Sequence, residues 1–213
     1  MDNQQGGIKM LKRKFNPILI SGCIGDGHLI HDSKEFRMSF SSIKLDYITY
    51  KRDLLMTKFY VSKLWTKKGS GFKKENITYE FATGSSKEIT LLAKMTKTEI
   101  INLITKEVLV LYFLDDGTFR RNKNQIHLYC NSFSEQEANE LADKIFELYP
   151  IKKCSVRFDR KKDGRCYPYL YVPVATAKEF IKDVESFLEA NKIYDMYYKT
   201  TLDSPSTTIE SLR

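Results

Sequence analysis

The chain has 213 residues, 42% of them apolar, with 13 Tyr and 13 Phe; that composition excludes a disordered polymer and suffices for one sizeable core or two halves of about 100 residues. Lys and Arg outnumber acids 35 to 27, a net charge of +8 that fits a polyanionic partner such as nucleic acid. No apolar run has the length of a membrane span, the start MDNQQGGIKMLKRKF lacks a secretion signal's apolar core, and Cys23, Cys130, Cys154 and Cys166 form no CxxC or zinc-finger spacing; a soluble intracellular protein without disulfides or structural zinc is expected.

The first element is an apolar run from Pro17, ILISGCIGDGHLI, closed by Gly25-Asp26-Gly27. A short polar turn follows, then FRMSFSS, where Phe36, Met38 and Phe40 alternate with Arg37, Ser39 and Ser41. That period of two predicts a strand with one apolar and one hydrogen-bonding face. Ile43, Tyr47, Tyr50 and Leu54 recur at helical spacing. KLWTKK and NITYEFAT read as strands joined by a turn at Gly69 to Gly71, and Ser85-x-x-Glu88 reads as the capping box of a closing helix.

Residues 96–106 read as a connector between a first half, 1–95, and a second, 107–213. The second half repeats the first. VLVLYFLDDGTF ends in Asp115-Asp116-Gly117, with Asp116 90 residues after Asp26. In RRNKNQIHLYCNS, Ile126, Leu128 and Cys130 alternate with Gln125, His127, Tyr129 and Asn131. Ser134-x-x-Glu137 opens a helix bearing Ala138, Leu141, Ile145 and Leu148. KCSVRFD and YPYLYVPV flank a hairpin signal at Lys162-Asp163-Gly164, Thr176-x-x-Glu179 opens the last helix, and DSPSTTIESLR reads as a loosely held tail. The order is αββαββα, twice, an α+β fold.

Asp115 and Asp116 pose a physical question. They stand at the C-terminal end of an apolar helix, where the macrodipole is already negative and disfavours each carboxylate by a few tenths of a kcal/mol. A lone Asp-Gly after an apolar run is ordinarily a turn, but two copies in register within a repeat point to function. Gly22-x-x-Gly25-x-Gly27 has neither the GK[ST] of a P-loop nor GxGxxG spacing, and His28 and His31 lack the further ligands of a metal site.

With these residues in view, the chain resembles the LAGLIDADG homing endonucleases in their single-chain form. LISGCIGDG (Leu19–Gly27) and LVLYFLDDG (Leu109–Gly117) match the two nine-residue motifs, and DMYYKT looks like the family's C-terminal YK signature. The resemblance implies two pseudo-symmetric halves, a central pair of packed motif helices and two antiparallel, saddle-shaped sheets over DNA. It implies metal binding by Asp26 and Asp116, with Gly25 and Asp115 beside them at position 7. Such crowded carboxylates need cations, and Mg²⁺ or Mn²⁺ suits a few carboxylates plus water and phosphate oxygens. Ser21, Gly22 and Gly25 in the first motif, against bulky Leu111, Tyr112 and Phe113 in the second, predict an asymmetric helix interface.

The resemblance also implies basic residues near the metals, for which the candidates are Lys94, in the loop before the second motif, and Lys161 or Lys162 at the second-half hairpin. Where the family often has a glutamine stand Phe40 or Ser41 in one half and Asn131 in the other. The polar strand faces are the natural base readers: Arg37, Ser39 and Ser41, with Gln125, His127, Tyr129 and Asn131. Arg120, Arg121 and Lys123 are assigned to phosphate or flanking bases, as are Arg165, Tyr167, Tyr169 and Tyr171. The implied activity is metal-dependent hydrolysis of double-stranded DNA by a monomer at a long, imperfectly palindromic target. It would act in the cytoplasm or an organelle matrix according to the host genome, with no membrane partner. The alternative is a maturase gripping intron RNA, or a non-cleaving DNA-binding regulator on the same scaffold; a zinc-dependent HNH nuclease would need histidines the chain lacks.

Overall fold

The computed structural model describes residues 15–68, 77–160 and 164–201. Within them the first half runs α1 (Pro17–Ile24), β1 (His28–Asp32), β2 (Glu35–Ser42), α2 (Leu45–Met56), β3 (Trp65–Lys68), β4 (Ile77–Ala82) and α3 (Lys87–Lys94). After α4 (Lys97–Asn102), the second half runs α5 (Lys106–Asp116), β5 (Gly117–Arg120), β6 (Gln125–Tyr129), α6 (Glu135–Leu148), β7 (Ser155–Arg160), β8 (Cys166–Val172) and α7 (Val174–Ala190). Short 3₁₀ turns cover Arg121–Lys123 and Tyr194–Lys199. Each half carries a four-stranded antiparallel sheet, ordered β1-β2-β4-β3 and β5-β6-β8-β7.

The motif helices α1 and α5 pack against each other at the centre. Asn16 caps α1, its side-chain oxygen accepting from the Ile18 N–H at 2.9 Å, and Pro17 sits in the first turn, where its missing N–H costs nothing. Thr105 caps α5 through the Val108 N–H. Every residue from Val108 to Leu114 is at most 2% exposed, so α5 is apolar all round because it is covered all round. The small residues do not act as a matched pair. A Cβ on Gly22 would stand 2.5 Å from the Met38 sulfur, so Gly22 makes room for its own sheet; at Gly25 it would meet Asp115 of the opposite helix at 3.3 Å. Among the bulky residues of α5, Tyr112 donates to the Tyr129 carbonyl at 2.6 Å and Phe113 packs edge-on to Phe180, both within the second half. Gly117 turns the chain so tightly from α5 into β5 that a Cβ would lie 2.1 Å from the Phe113 ring.

Several local expectations are corrected. The polar turn after Gly27 contains a strand, β1, paired with β2. The KLWTKK strand starts only at Trp65. Within the connector 96–106, α4 opens with a Thr96–Glu99 capping box and buries Ile100 and Ile101 in the core. Ser86, not Ser85, caps α3, and Glu88 instead accepts from the Asn16 N–H at 2.9 Å while paired to Lys58. Thr176 lies inside α7, which follows Pro173; its hydroxyl bonds the Lys152 backbone. The Ser134–Glu137 box forms as expected. The turns at Gly69 to Gly71 and Lys162-Asp163, and the tail from Asp203, lie outside the described residues.

Helix α2 is rotated relative to the expected face. Ile43 precedes it and is 52% exposed, while Tyr47, Ile48, Lys51 and Leu55 are buried. An apolar-periodicity reading treats Lys51 as outward, and the structure turns it inward. Replacing buried Leu111 with Ala is expected to cost about 2–5 kcal/mol in a denaturant melt. Ile43→Ala is expected to stay within about 0.5 kcal/mol; comparable losses for both would contradict this packing.

Candidate active site and nucleic-acid face

Asp116 is the last residue of α5 and Asp26 follows the end of α1, so the central pair brings one carboxylate from each half together. Asp26 opens to solvent and Asp116 is half-buried. Even so, the surrounding protein removes enough water to raise both pKa values. Desolvation is the main cause for Asp116, with the Asp26 and Asp115 charges adding to it, and its carboxyl is pushed up to about 7. Asp26 is raised first by desolvation and then by Asp115, while Lys51 and Lys199 pull it back.

Asp115 occupies a different place. Its side chain is 1% exposed and turned into the core, where Oδ1 lies 2.5 Å from Lys51 Nζ and accepts from the Tyr47 hydroxyl at 2.8 Å. Lys51 is itself 3% exposed. The resemblance set Asp115 beside the metals; here one of its oxygens is engaged by Lys51 and Tyr47 of α2. The other oxygen, Oδ2, is buried without a hydrogen-bond partner and faces Gly25. Gly25 itself has only its backbone to offer a ligand.

Lys199 completes the arrangement. Its ammonium donates to the carbonyls of Phe113, Leu114 and Asp115 at 3.3, 2.6 and 3.2 Å, capping the C-terminus of α5. Burial lowers its pKa to about 8, against the raising effect of Asp115, Asp26 and Asp116. A cation on the last carbonyls offsets the dipole that makes this end hostile to anions. Sequence reading missed both lysines. Lys199 stood within the noted YK ending, and Lys51 lies one helical turn after Tyr47 on the same face. Lys94, expected in a loop, is exposed at the C-terminal end of α3. Lys161 lies outside the described residues. Asn131 is exposed in the turn after β6, past the strand end, while Phe40 is buried and Ser41 exposed.

Residues directly opposed in antiparallel strands point to the same side, so the register defines each outer face. Arg37, Ser39 and Ser41 share a face with His28 on β1 and with Glu80 on β4. Trp65 and Lys67 extend that face on β3, both held to the Glu80 carboxylate. In the second half, Gln125, His127 and Tyr129 share a face with Thr118 and Arg120 on β5 and with Tyr171, Tyr169 and Tyr167 on β8, which Arg157 extends on β7. Arg165 precedes β8 rather than lying on it. Two assignments change. His127 is 7% exposed, stacked on Tyr169 at 4.8 Å, and its pKa is lowered by desolvation and nearby cations, so it is a neutral, covered ring. Arg121, exposed like Arg120 and Lys123, uses its guanidinium on the carbonyls of Thr200 and Tyr197 and so ties down the segment that carries Lys199. Arg157, whose guanidinium lies 3.9 Å from the Tyr171 ring centre, was not singled out from the sequence.

The model of the LAGLIDADG DNA endonuclease family matches residues 18–180. A search of curated proteins finds no match. Among solved structures, the homing endonuclease I-WcaI bound to its DNA recognition sequence aligns with a TM-score of 0.67 at 21% identity, covering 95% of this chain and 94% of that one. Full-length DUF199/WhiA from Thermatoga maritima aligns with a TM-score of 0.50 at 12% identity, covering 86% of this chain and 62% of that one. At these identities the likeness is one of fold.

The buried pair sets one expectation. Lys51→Met strands Asp115 without its counterion and is expected to destabilise the protein by about 3–5 kcal/mol, whereas Lys51→Met combined with Asp115→Leu recovers most of that loss. Additive losses in urea melts would contradict the pairing. Asp116 sets another. A carboxyl raised on folding favours the folded state below its ordinary value of 3.8, and the benefit is lost as pH rises to about 7. Without divalent metal, Asp116→Asn should therefore melt above the wild type by a margin that grows from about pH 4 and levels off above about pH 7. A margin that does not change with pH would contradict the crowding.

Proposed function

The chain belongs to the LAGLIDADG DNA endonuclease family, and from that premise we propose that it is a site-specific endonuclease. In this reading it acts as a monomer, hydrolysing both strands of a long, imperfectly palindromic DNA target with a divalent metal. The observation that carries the reading is the meeting of Asp26 and Asp116, one from each repeat, at the converging ends of the two central helices. Carboxylates left crowded and proton-hungry in the free protein are suited to hold a hard cation.

The donor set fits such an ion. Among the described residues no group of three or more His, Cys, Asp or Glu is placed to hold a metal alone. Asp26 and Asp116 would each supply a carboxylate, leaving the remaining positions to water and DNA phosphate, as Mg²⁺ or Mn²⁺ favours. When bound, the metal supplies Lewis acidity that activates water and steadies the leaving oxygen. Lys199 uses its three N–H donors on helix carbonyls, so its part is to fix the end of α5 and thereby aim Asp116. Lys51, paired with Asp115, would keep that carboxylate in the scaffold and leave the metal to Asp26 and Asp116. The outer faces read sequence: Arg37, Ser39 and Ser41 in one half, Gln125, Tyr129, Tyr167 and Tyr169 in the other. Arg120 and Lys123 would meet phosphate.

The halves offer different side chains at matching positions, so they would read different bases and cut the two strands at different rates. Asp26→Asn or Asp116→Asn removes a charge with little change in volume. Each is expected to abolish or cripple cleavage while DNA affinity persists, since most affinity comes from phosphate and base contacts elsewhere. A strand-resolved time course with both ends labelled reads the outcome, using Mg²⁺ and a duplex selected from a randomised library. Full cutting by either variant would refute the assignment, and wild-type binding without cleavage would move the reading to a non-cleaving binder.

A further inference from the structure

A cavity in the second half lies away from the carboxylates, at the far edge of its sheet. It has a volume of about 880 Å³ and is lined by Lys152, Lys153, Arg157, Tyr171, Lys178 and Glu179, among others. Thr118, two residues after Asp116, forms one cross-strand row with His127, Tyr171 and Ser155. The cavity opens at the Ser155 end of that row, so three strand spacings, roughly 14 Å, separate it from β5. At 3.4 Å per nucleotide that is about four base pairs farther along a duplex lying on the sheet.

Four cations meet one anion here, and the anion is already engaged: Glu179 pairs with Lys182 at 2.8 Å. Lys153 shares Asp143, whereas Lys152 and Lys178 take part in no ion pair among the described residues. The basic loop is held in place. The Thr176 hydroxyl, on a residue 1% exposed, donates to the Lys152 carbonyl at 2.7 Å and accepts from the Lys152 N–H at 3.2 Å. Arg157 and Tyr171 belong both to this cavity and to the outer sheet face, so the basic surface is continuous with the base-reading one.

We propose that this cleft is a backbone clamp for the flank of the target duplex, in which Lys152 and Lys178 grip phosphates beyond the bases read by β6 and β8. The proposal rests on the endonuclease reading, and its partner is duplex DNA because the cleft is cationic, rigid and continuous with the sheet face. Its grip is independent of base identity.

The test is equilibrium binding of the full chain to a mixed-sequence 40-base-pair duplex between 50 and 200 mM salt. Three proteins are compared: wild type, Lys152→Gln/Lys178→Gln, and a charge-matched control, Lys106→Gln/Lys144→Gln, altered on helices away from the cleft and paired to Asp183 and Glu147 rather than to any residue lining it. Loss of two phosphate contacts should flatten the log–log salt slope by about 1.8, so that wild type loses about 12-fold more affinity than the cleft variant across that range. The control should keep the wild-type slope. An unchanged slope in the cleft variant, or an equal change in the control, would overturn the clamp while leaving the endonuclease reading intact. A wild-type protein that binds no duplex would overturn both.

Discussion

The ion pair between Asp115 and Lys51 is the contact on which the central architecture depends. It joins the second motif helix to a helix of the first half, inside a core where neither partner reaches water. An unpaired charge there would cost several kcal/mol, so the two halves hold one relative position or lose the pair. Lys199 works from the other side, neutralising the carbonyl end of α5 with an ammonium carried on the segment that Arg121 ties down. Between them, two buried cations let a helix end in consecutive aspartates. Asp116 is then left with a charge that its own surroundings do not satisfy, and that is the useful product of the arrangement.

The same contact explains why two copies of one plan are not equivalent. The repeat offset of 90 residues sets Gly25 against Asp115 and Leu141 against Lys51, so the first motif has neither member of the pair. Gly25 is small where Asp115 is charged, and the two meet face to face at the helix crossing. The sheets share strand order and antiparallel pairing, so this asymmetry of the central site comes from the helix interface. It places Asp26 at an open end and Asp116 beside a buried carboxylate, which gives the two sites different electrostatic surroundings from one fold.

Much of this was legible in the sequence. Two Asp-Gly endings in register, alternation in FRMSFSS and QIHLY, and the Ser134 capping box are local signals whose meaning does not depend on distant partners. What could not be read was set by long-range contacts. Lys51 looks like a surface residue until Asp115 is beside it, and its burial displaced the expected face of α2. Glu88 matches a capping box but is drawn to Asn16, 72 residues away. Thr176 matches another but is used to hold the Lys152 loop, and Arg121 reads as a phosphate contact until the Thr200 carbonyl takes it. In each case a polar side chain with a plausible local role found a stronger one in the tertiary structure.

The central claim is that Asp26 and Asp116 take the metal while Asp115 belongs to the scaffold. Crystals of the chain with a duplex selected from a randomised library, grown in Mn²⁺ and measured for anomalous scattering, test it most directly. The expected map has manganese density against the carboxylates of Asp26 and Asp116, with Asp115 still paired to Lys51 and Lys199 still on the α5 carbonyls. Manganese bound through the Asp115 carboxylate with Lys51 released, or no metal at either Asp26 or Asp116, would contradict it.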